Sequence, residues 1–337
     1  MVHIGGWLSA FGHQRHRFTA EIAEDAEKTW IMTTKIIGVN SRNVLTAILL
    51  ILICPALRAQ NSGYLGFDRN EYPGNANLAV LRQTFSYTGY WLNTPPSERA
   101  NSWAGHRAAV EKAGFGFLVL FNGRLYAELK SEAKARRLGE SDARAAAAAA
   151  RREGFPRATV IFLDQEQGGR MLPEQNAYIF AWVDGVTGAG FRAGIYCSGM
   201  PAPTRDHTIT AEDIREHAAD WASGSAGKSA RATETATREI TYWVTDDACP
   251  PAPGCAFPKH PPSPAESGVR FAEVWQFAQS PERKDVAAHC TNYSRDGNCH
   301  PPGIPAEQKI HIDLNTATSP DPSHGRTHSE PVAADRR

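Results

Sequence analysis

From Gly63 onward, short apolar runs recur along the chain, most of them closed by a polar or acidic residue. They fall at 64–67 before Asp68, 88–92 before Asn93, 115–121 before Asn122 and 159–163 before Asp164. Four more lie at 191–197 before Ser198-Gly199, 240–245 before Asp246, 271–277 around Trp275-Gln276, and 309–312 before Asp313-Leu314-Asn315. Continuous apolar runs of this length, bounded by polar residues and glycines, are the pattern of strands buried on both faces of a parallel sheet. Helical segments fit between several of them. Residues 102–112 stop at Gly114, and 141–153 form an Ala-rich stretch ended by Gly154 and Pro156. Residues 173–186 open on a proline, and 211–221 follow Thr210, a good N-cap. Strand–helix alternation predicts a parallel sheet, and eight strands predict a closed barrel: an α/β chain of the (β/α)8 TIM type, irregular in its second half.

The stretch ATVIFLDQEQGGR, residues 158–170, carries the sharpest chemistry. Its apolar run delivers Asp164 and Glu166, spaced i and i+2, so strand alternation points both carboxylates the same way. Two acids at the end of a buried strand are costly unless they are used or paired. In a parallel barrel the C-terminal strand tips form the active-site face. The tips would bring together Asp68, Asn93, Asn122, Asp164, Glu166, Asp246, Gln276 and Asp313, with Tyr72, Trp91, Tyr196, Trp243 and Trp275 beside them. Clustered carboxylates raise one another's pKa, and with flat aromatics they make the inventory of a sugar-cleaving site. Each residue also has a plainer reading. Asp164 and Glu166 would then pair with Arg124 or Arg170, Asp68 and Asp313 would cap strand ends, Asp246 would belong to an acidic loop with Asp247, and Trp243 and Trp275 would be core.

Composition narrows the setting rather than the reaction. Lys+Arg and Asp+Glu are both 36, so net charge points to neither nucleic acid nor an anionic membrane. No HExxH, GxSxG or GxGxxG motif is present. The run 44–57, VLTAILLILICPAL, is short for a membrane span; preceded by Lys35 and Arg42 and followed by Ala59, it has the layout of a signal peptide. An uncleaved anchor is the alternative. Met32 is well placed to begin that signal, which makes 1–31 an over-extended start, 32–59 the signal peptide and 60–318 the barrel domain. The last residues, 319–337, lack an apolar pattern and are expected to be disordered. A secreted or periplasmic setting favours disulfides over zinc, with Cys249–Cys255 and Cys290–Cys299 each expected to staple its own loop and Cys197 left as a buried thiol.

In order, the motifs GFD, FLDQE, GIYCSG, WQF and HIDLN resemble those of the family 25 glycoside hydrolases, the lysozyme-like muramidases. GYWLNTPP, GFGFLVLFNGR and FLDQEQGGRMLPEQ bring the chain closer still to a bacterial group described as glycoside hydrolase-like. The resemblance spans about Gly63 to Ala317. It implies that Glu166 is the general acid/base, that Asp164 and Asp68 steady a substrate-assisted intermediate, and that Asp313 and Asn315 match the family's closing D-x-N, with Asp313 able to share the stabilising role. From the strand tips, Asn122, Tyr196, Trp243, Asp246, Trp275 and Gln276 are expected to contact substrate. The chain departs from family 25 at the first strand, where Asp68-Arg69-Asn70 replaces D-x-S, and after the acid pair, at Gln167-Gly168-Gly169-Arg170. The function expected is cleavage of peptidoglycan or a related amino-sugar polymer by a monomer with no metal or organic cofactor. The alternatives are a barrel that binds glycan without cutting it, and one that binds a protein partner through its long cysteine-bearing loops.

Overall fold

The computed structural model describes residues 62–224 and 238–327; residues 1–31 and the signal segment 32–59 lie outside them. Seven of the apolar runs become β1 Tyr64–Asp68, β2 Tyr87–Trp91, β3 Gly116–Asn122, β4 Val160–Asp164, β5 Arg192–Ser198, β6 Ile240–Thr245 and β7 Val274–Ala278, and the eighth strand, β8 Asp313–Ala317, follows the last run rather than forming from it. They pair in sequence order and close into one eight-stranded barrel. Its interior is a packed core in which large side chains face glycines. A Cβ on Gly66 would lie 2.2 Å from the Tyr87 ring, and one on Gly194 would lie 2.5 Å from Phe162. Likewise a Cβ on Gly89 would sit 2.7 Å from the Asp68 Cβ. Substituting these glycines would displace the side chains that fill the barrel and floor its mouth.

One strand departs from the parallel expectation. β1 to β7 are parallel, but β8 runs antiparallel to both β1 and β7, and it begins at Asp313 where the expected strand ended. A parallel return needs a crossover, usually a helix, to carry the chain to the far end of the sheet. Between β7 and β8 there is only a short 3₁₀ turn, Ala306–Gln308. The chain therefore stays at the mouth and enters β8 from the top. Asp313 still pairs opposite Asp68, so reversing the strand leaves its carboxylate in the cup.

Among the described residues, six α-helices surround the barrel: α1 Asn75–Leu81, α2 Arg107–Lys112, α3 Tyr126–Leu129, α4 Glu132–Glu153, α5 Pro173–Gly188 and α6 Thr210–Gly224. Ser131 caps α4, accepting from Lys134 N at 3.4 Å, and Gly154 ends it with φ 81°. Its alanines form a packing face, with Ala143, Ala146, Ala147, Ala149 and Ala150 all buried. Small residues bring α4 and α5 together: a Cβ on Gly139 would meet the Tyr178 carbonyl at 2.3 Å.

Two expectations about the later chain are corrected. The cysteines pair as Cys249–Cys290 and Cys255–Cys299, with Cα separations of 5.2 and 5.5 Å, so each bridge ties the loop after β6 to the loop after β7. Sequence proximity favoured the local pairs, but the barrel lays these loops side by side at its mouth. Cys197 is free and buried, as expected. Second, residues 319–327, expected to begin a disordered tail, are seated on the barrel. Ser323 is fully buried; its Oγ accepts from Val119 N and its carbonyl from Val160 N, each at 2.8 Å. Asp321 Oδ1 accepts from Phe117 N at 2.8 Å. The segment seals the lower ends of β3 and β4 through polar atoms, which leaves no apolar periodicity to read. Ser323→Ala is expected to cost about 1–2 kcal/mol by orphaning Val119 N. The measurement is the urea midpoint, which should fall at unchanged slope; an unshifted midpoint would mean the segment is not seated.

Candidate active site

The tips of the eight strands enclose a cleft of about 250 Å³. Asp68, Asp164, Glu166 and Asp313 all line it, together with Tyr196, Trp243 and Gln276. Asn122, Asp246 and Trp275, expected to contact substrate, are not in that lining. Asn122 is occupied in bracing two loops: its N–H meets Asn93 Oδ1 at 2.8 Å and its Nδ2 donates to the Thr94 carbonyl at 3.0 Å. Trp275 is fully buried, and its indole N–H donates to the Asp246 carbonyl at 2.7 Å. Asp246 is buried, with Oδ1 accepting from Ala248 N at 3.1 Å.

A hydrogen-bonded chain fixes the floor. Trp243 Nε1 donates to Asn315 Oδ1 at 3.0 Å, and Asn315 Nδ2 donates to Asp68 Oδ1 at 2.6 Å. Gln276 Nε2 donates to the same Asp68 oxygen at 3.1 Å, while its Oε1 accepts from the Tyr196 hydroxyl at 2.8 Å. Asp313 Oδ1 accepts from Ser280 N at 2.6 Å. Trp243 and Tyr196, 1% and 8% exposed, therefore act mainly as walls that orient the amides.

The acids have no cation of their own in the cleft. Arg124 forks onto Asp142 at 2.8 and 3.0 Å, and Arg170 reaches Asp206 and Asp213. The structural ion pairs that would have made Asp164 and Glu166 ordinary are thus absent. Asp164 is buried, and its Oδ1 has no hydrogen-bond partner. Burial first, then the charges of Glu166 and Asp68, push its pKa well up. Burial likewise lifts Asp68 to about 6 against the opposing pull of Asn315 and Gln276, and it raises Asp313. Glu166 stands exposed at the mouth, yet the surrounding walls withhold enough water to raise its pKa, with Arg283 opposing.

These shifts set a pH dependence. A carboxyl whose folded pKa exceeds its unfolded value binds more protons in the folded state, so it favours folding at low pH and loses that contribution as pH rises. For Asp68 the window runs from about 4 to about 6, and the full difference is about 3 kcal/mol. Stability is expected to be higher at pH 5 than at pH 7.5; denaturant midpoints that rise across that interval would contradict the burial of these acids.

The lining also includes Asn70, Trp91, Pro96, Leu120, Gln279, Ser280 and Pro281. Gln279 was invisible to strand alternation because β7 is irregular between Gln276 and Ala278, and such bulges re-aim the residues that follow. Its Nε2 donates to Gln276 Oε1 at 2.8 Å. Among the described residues, no group of three or more His, Cys, Asp or Glu is placed to hold a metal ion.

The fold is a closed eight-stranded barrel with four carboxyl groups in the cleft at its mouth. Residues 88–252 match the model of the family described as "Rv2525c-like, glycoside hydrolase-like domain", which bears out the resemblance carried by the sequence motifs. The match takes in Asp164 and Glu166 and leaves Asp68 and Asp313 outside it. No curated protein matches the chain. Similar solved structures include an uncharacterized B. stearothermophilus protein, 17% identical, covering 76% of this chain and 96% of its own, with TM-score 0.44. The Mycobacterium tuberculosis Tat-secreted protein Rv2525c is 11% identical, covering 77% and 96%, with TM-score 0.41. A family 25 glycosyl hydrolase from Bacillus anthracis is 11% identical, covering 77% and 90%, with TM-score 0.40.

Proposed function

We propose that the protein is a secreted glycoside hydrolase that cleaves a glycosidic bond in peptidoglycan or a related amino-sugar polymer. One observation carries the reading: four carboxyl groups share a cleft whose lining holds no cation, and one of them, Asp164, keeps a buried oxygen without a donor. So many acids in one low-dielectric cup cannot all ionise together. A proton is therefore retained for donation while a neighbouring group stays negative. Glu166, raised in pKa and open at the mouth, protonates the leaving oxygen. Asp164, with Asp68 or Asp313, then stabilises the oxocarbenium or oxazolinium charge that develops. The unpaired Asp164 oxygen is placed to accept a hydrogen bond from an amide-bearing sugar. The protein acts as a monomer without a cofactor, and the paired cysteines fit an oxidising, extracellular setting.

The alternative is a barrel that keeps the acidic cleft and binds glycan without cutting it. Incubation with purified peptidoglycan and with chitin oligomers separates the two. New reducing ends support the hydrolase, whereas binding with no release moves the assignment to a glycan-binding barrel.

A further inference from the structure

Large apolar side chains that stand exposed are few among the described residues: Tyr64, Leu125, Tyr126 and Leu172. Three of these four sit on the chain that follows β3 and β4, at the strand ends that carry the acid pair. Leu125 is 53% exposed and Tyr126 39%. Their loop lies directly on the tip of β4, since a Cβ on Gly123 would meet the Asp164 carbonyl at 2.5 Å. Tyr126 N donates to Gln167 Oε1 at 2.6 Å, which ties it to the residue after Glu166.

The loop is braced from beneath by polar groups. Arg124 grips Asp142 through two nitrogens and Glu128 through a third at 3.1 Å, and the Tyr178 hydroxyl donates to Asp142 at 3.0 Å. Glu128 also accepts from Leu125 N at 3.0 Å. A rigid, polar-braced turn that holds two apolar side chains toward water is a built surface, the kind that marks a contact site.

We propose that Tyr126, supported by Leu125, is a ledge for the sugar ring adjacent to the one in the cleft. The inference rests on the function proposed above and adds where the polymer runs. A cleft of about 250 Å³ cannot hold more than a short piece of glycan, so the chain must leave across the rim, where Glu166 is exposed. The apolar face of a pyranose matches a phenol ring, whose hydroxyl reaches the sugar's own hydroxyls. Arg124, the nearest cation in sequence, is spent on Asp142 and Glu128, so the ledge favours a neutral ring face over an anionic group.

The test compares the purified protein with Tyr126→Ala and Tyr126→Phe on chitin disaccharide and hexasaccharide. Tyr126→Ala should weaken hexasaccharide affinity about three- to tenfold, the value of one ring stack, while disaccharide affinity matches the parent's. Tyr126→Phe should retain most of the parent affinity. Equal hexasaccharide affinity in parent and Tyr126→Ala would overturn the ledge and leave the proposed function standing. A parent dimer that Tyr126→Ala dissociates, with glycan affinity unaltered, would reassign the patch to self-contact. A parent that binds neither oligomer removes both readings together.

Discussion

Glu166→Gln should fold as the parent does and lose about a thousandfold or more of its glycan-cleaving rate, the value of a positioned general acid. Glutamine keeps the shape of the side chain but has no proton to give at neutral pH. The residue stands exposed at the mouth, so the change orphans no packed neighbour and disturbs no core contact. Affinity for uncleaved glycan should therefore persist in the variant. Turnover close to that of the parent would remove Glu166 from the acid role, and a lost thermal transition would show that it holds the rim together instead.

Asp164→Asn should separate stability from activity in opposite directions. The carboxyl is buried, one of its oxygens has no donor, and Glu166 and Asp68 repel its charge. A neutral amide of equal size removes that penalty at pH 7.5, for a gain of about 1 kcal/mol or more and a Tm about 2–4 °C higher. Because the folded pKa is raised, the gain should vanish below about pH 4, where the parent carboxyl is protonated in both states. Cleavage should fall about a hundredfold, since the amide cannot stabilise a cationic sugar. A lowered Tm at pH 7.5 would identify Asp164 as a structural group. The expected trade is the usual mark of a site that stores unfavourable electrostatics for use.

Much of this arrangement was legible in the chain before any coordinates. The apolar runs located seven of the eight strands because burial on both faces leaves an uninterrupted signal, whereas the last run, 309–312, ended where β8 begins. The i, i+2 spacing of Asp164 and Glu166 placed both on one wall, where the cleft lining contains them. Asp313 was assigned to the cup from the wrong geometry: β8 runs the other way, yet the carboxyl faces the same cavity because its strand starts, rather than ends, at the mouth. What could not be read depends on long-range placement. The cysteine pairing follows from two loops lying side by side, which no local spacing encodes. Ser323 seals the barrel floor through a hydroxyl and a backbone carbonyl, so its burial carries no hydrophobic mark. Trp275 and Gln276 are neighbours on one strand, and only one of them can face the cleft; Gln276 does.

The claim at the centre is that the acidic cup breaks a bond between sugars. Peptidoglycan incubated with the purified protein between pH 4 and 8, then reduced with borohydride and analysed by mass spectrometry, addresses it directly. Fragments ending in reduced amino sugars, produced by the parent and missing from the Glu166→Gln digest, are the expected result. Glycan strands that stay intact with the parent across that whole pH range would contradict it.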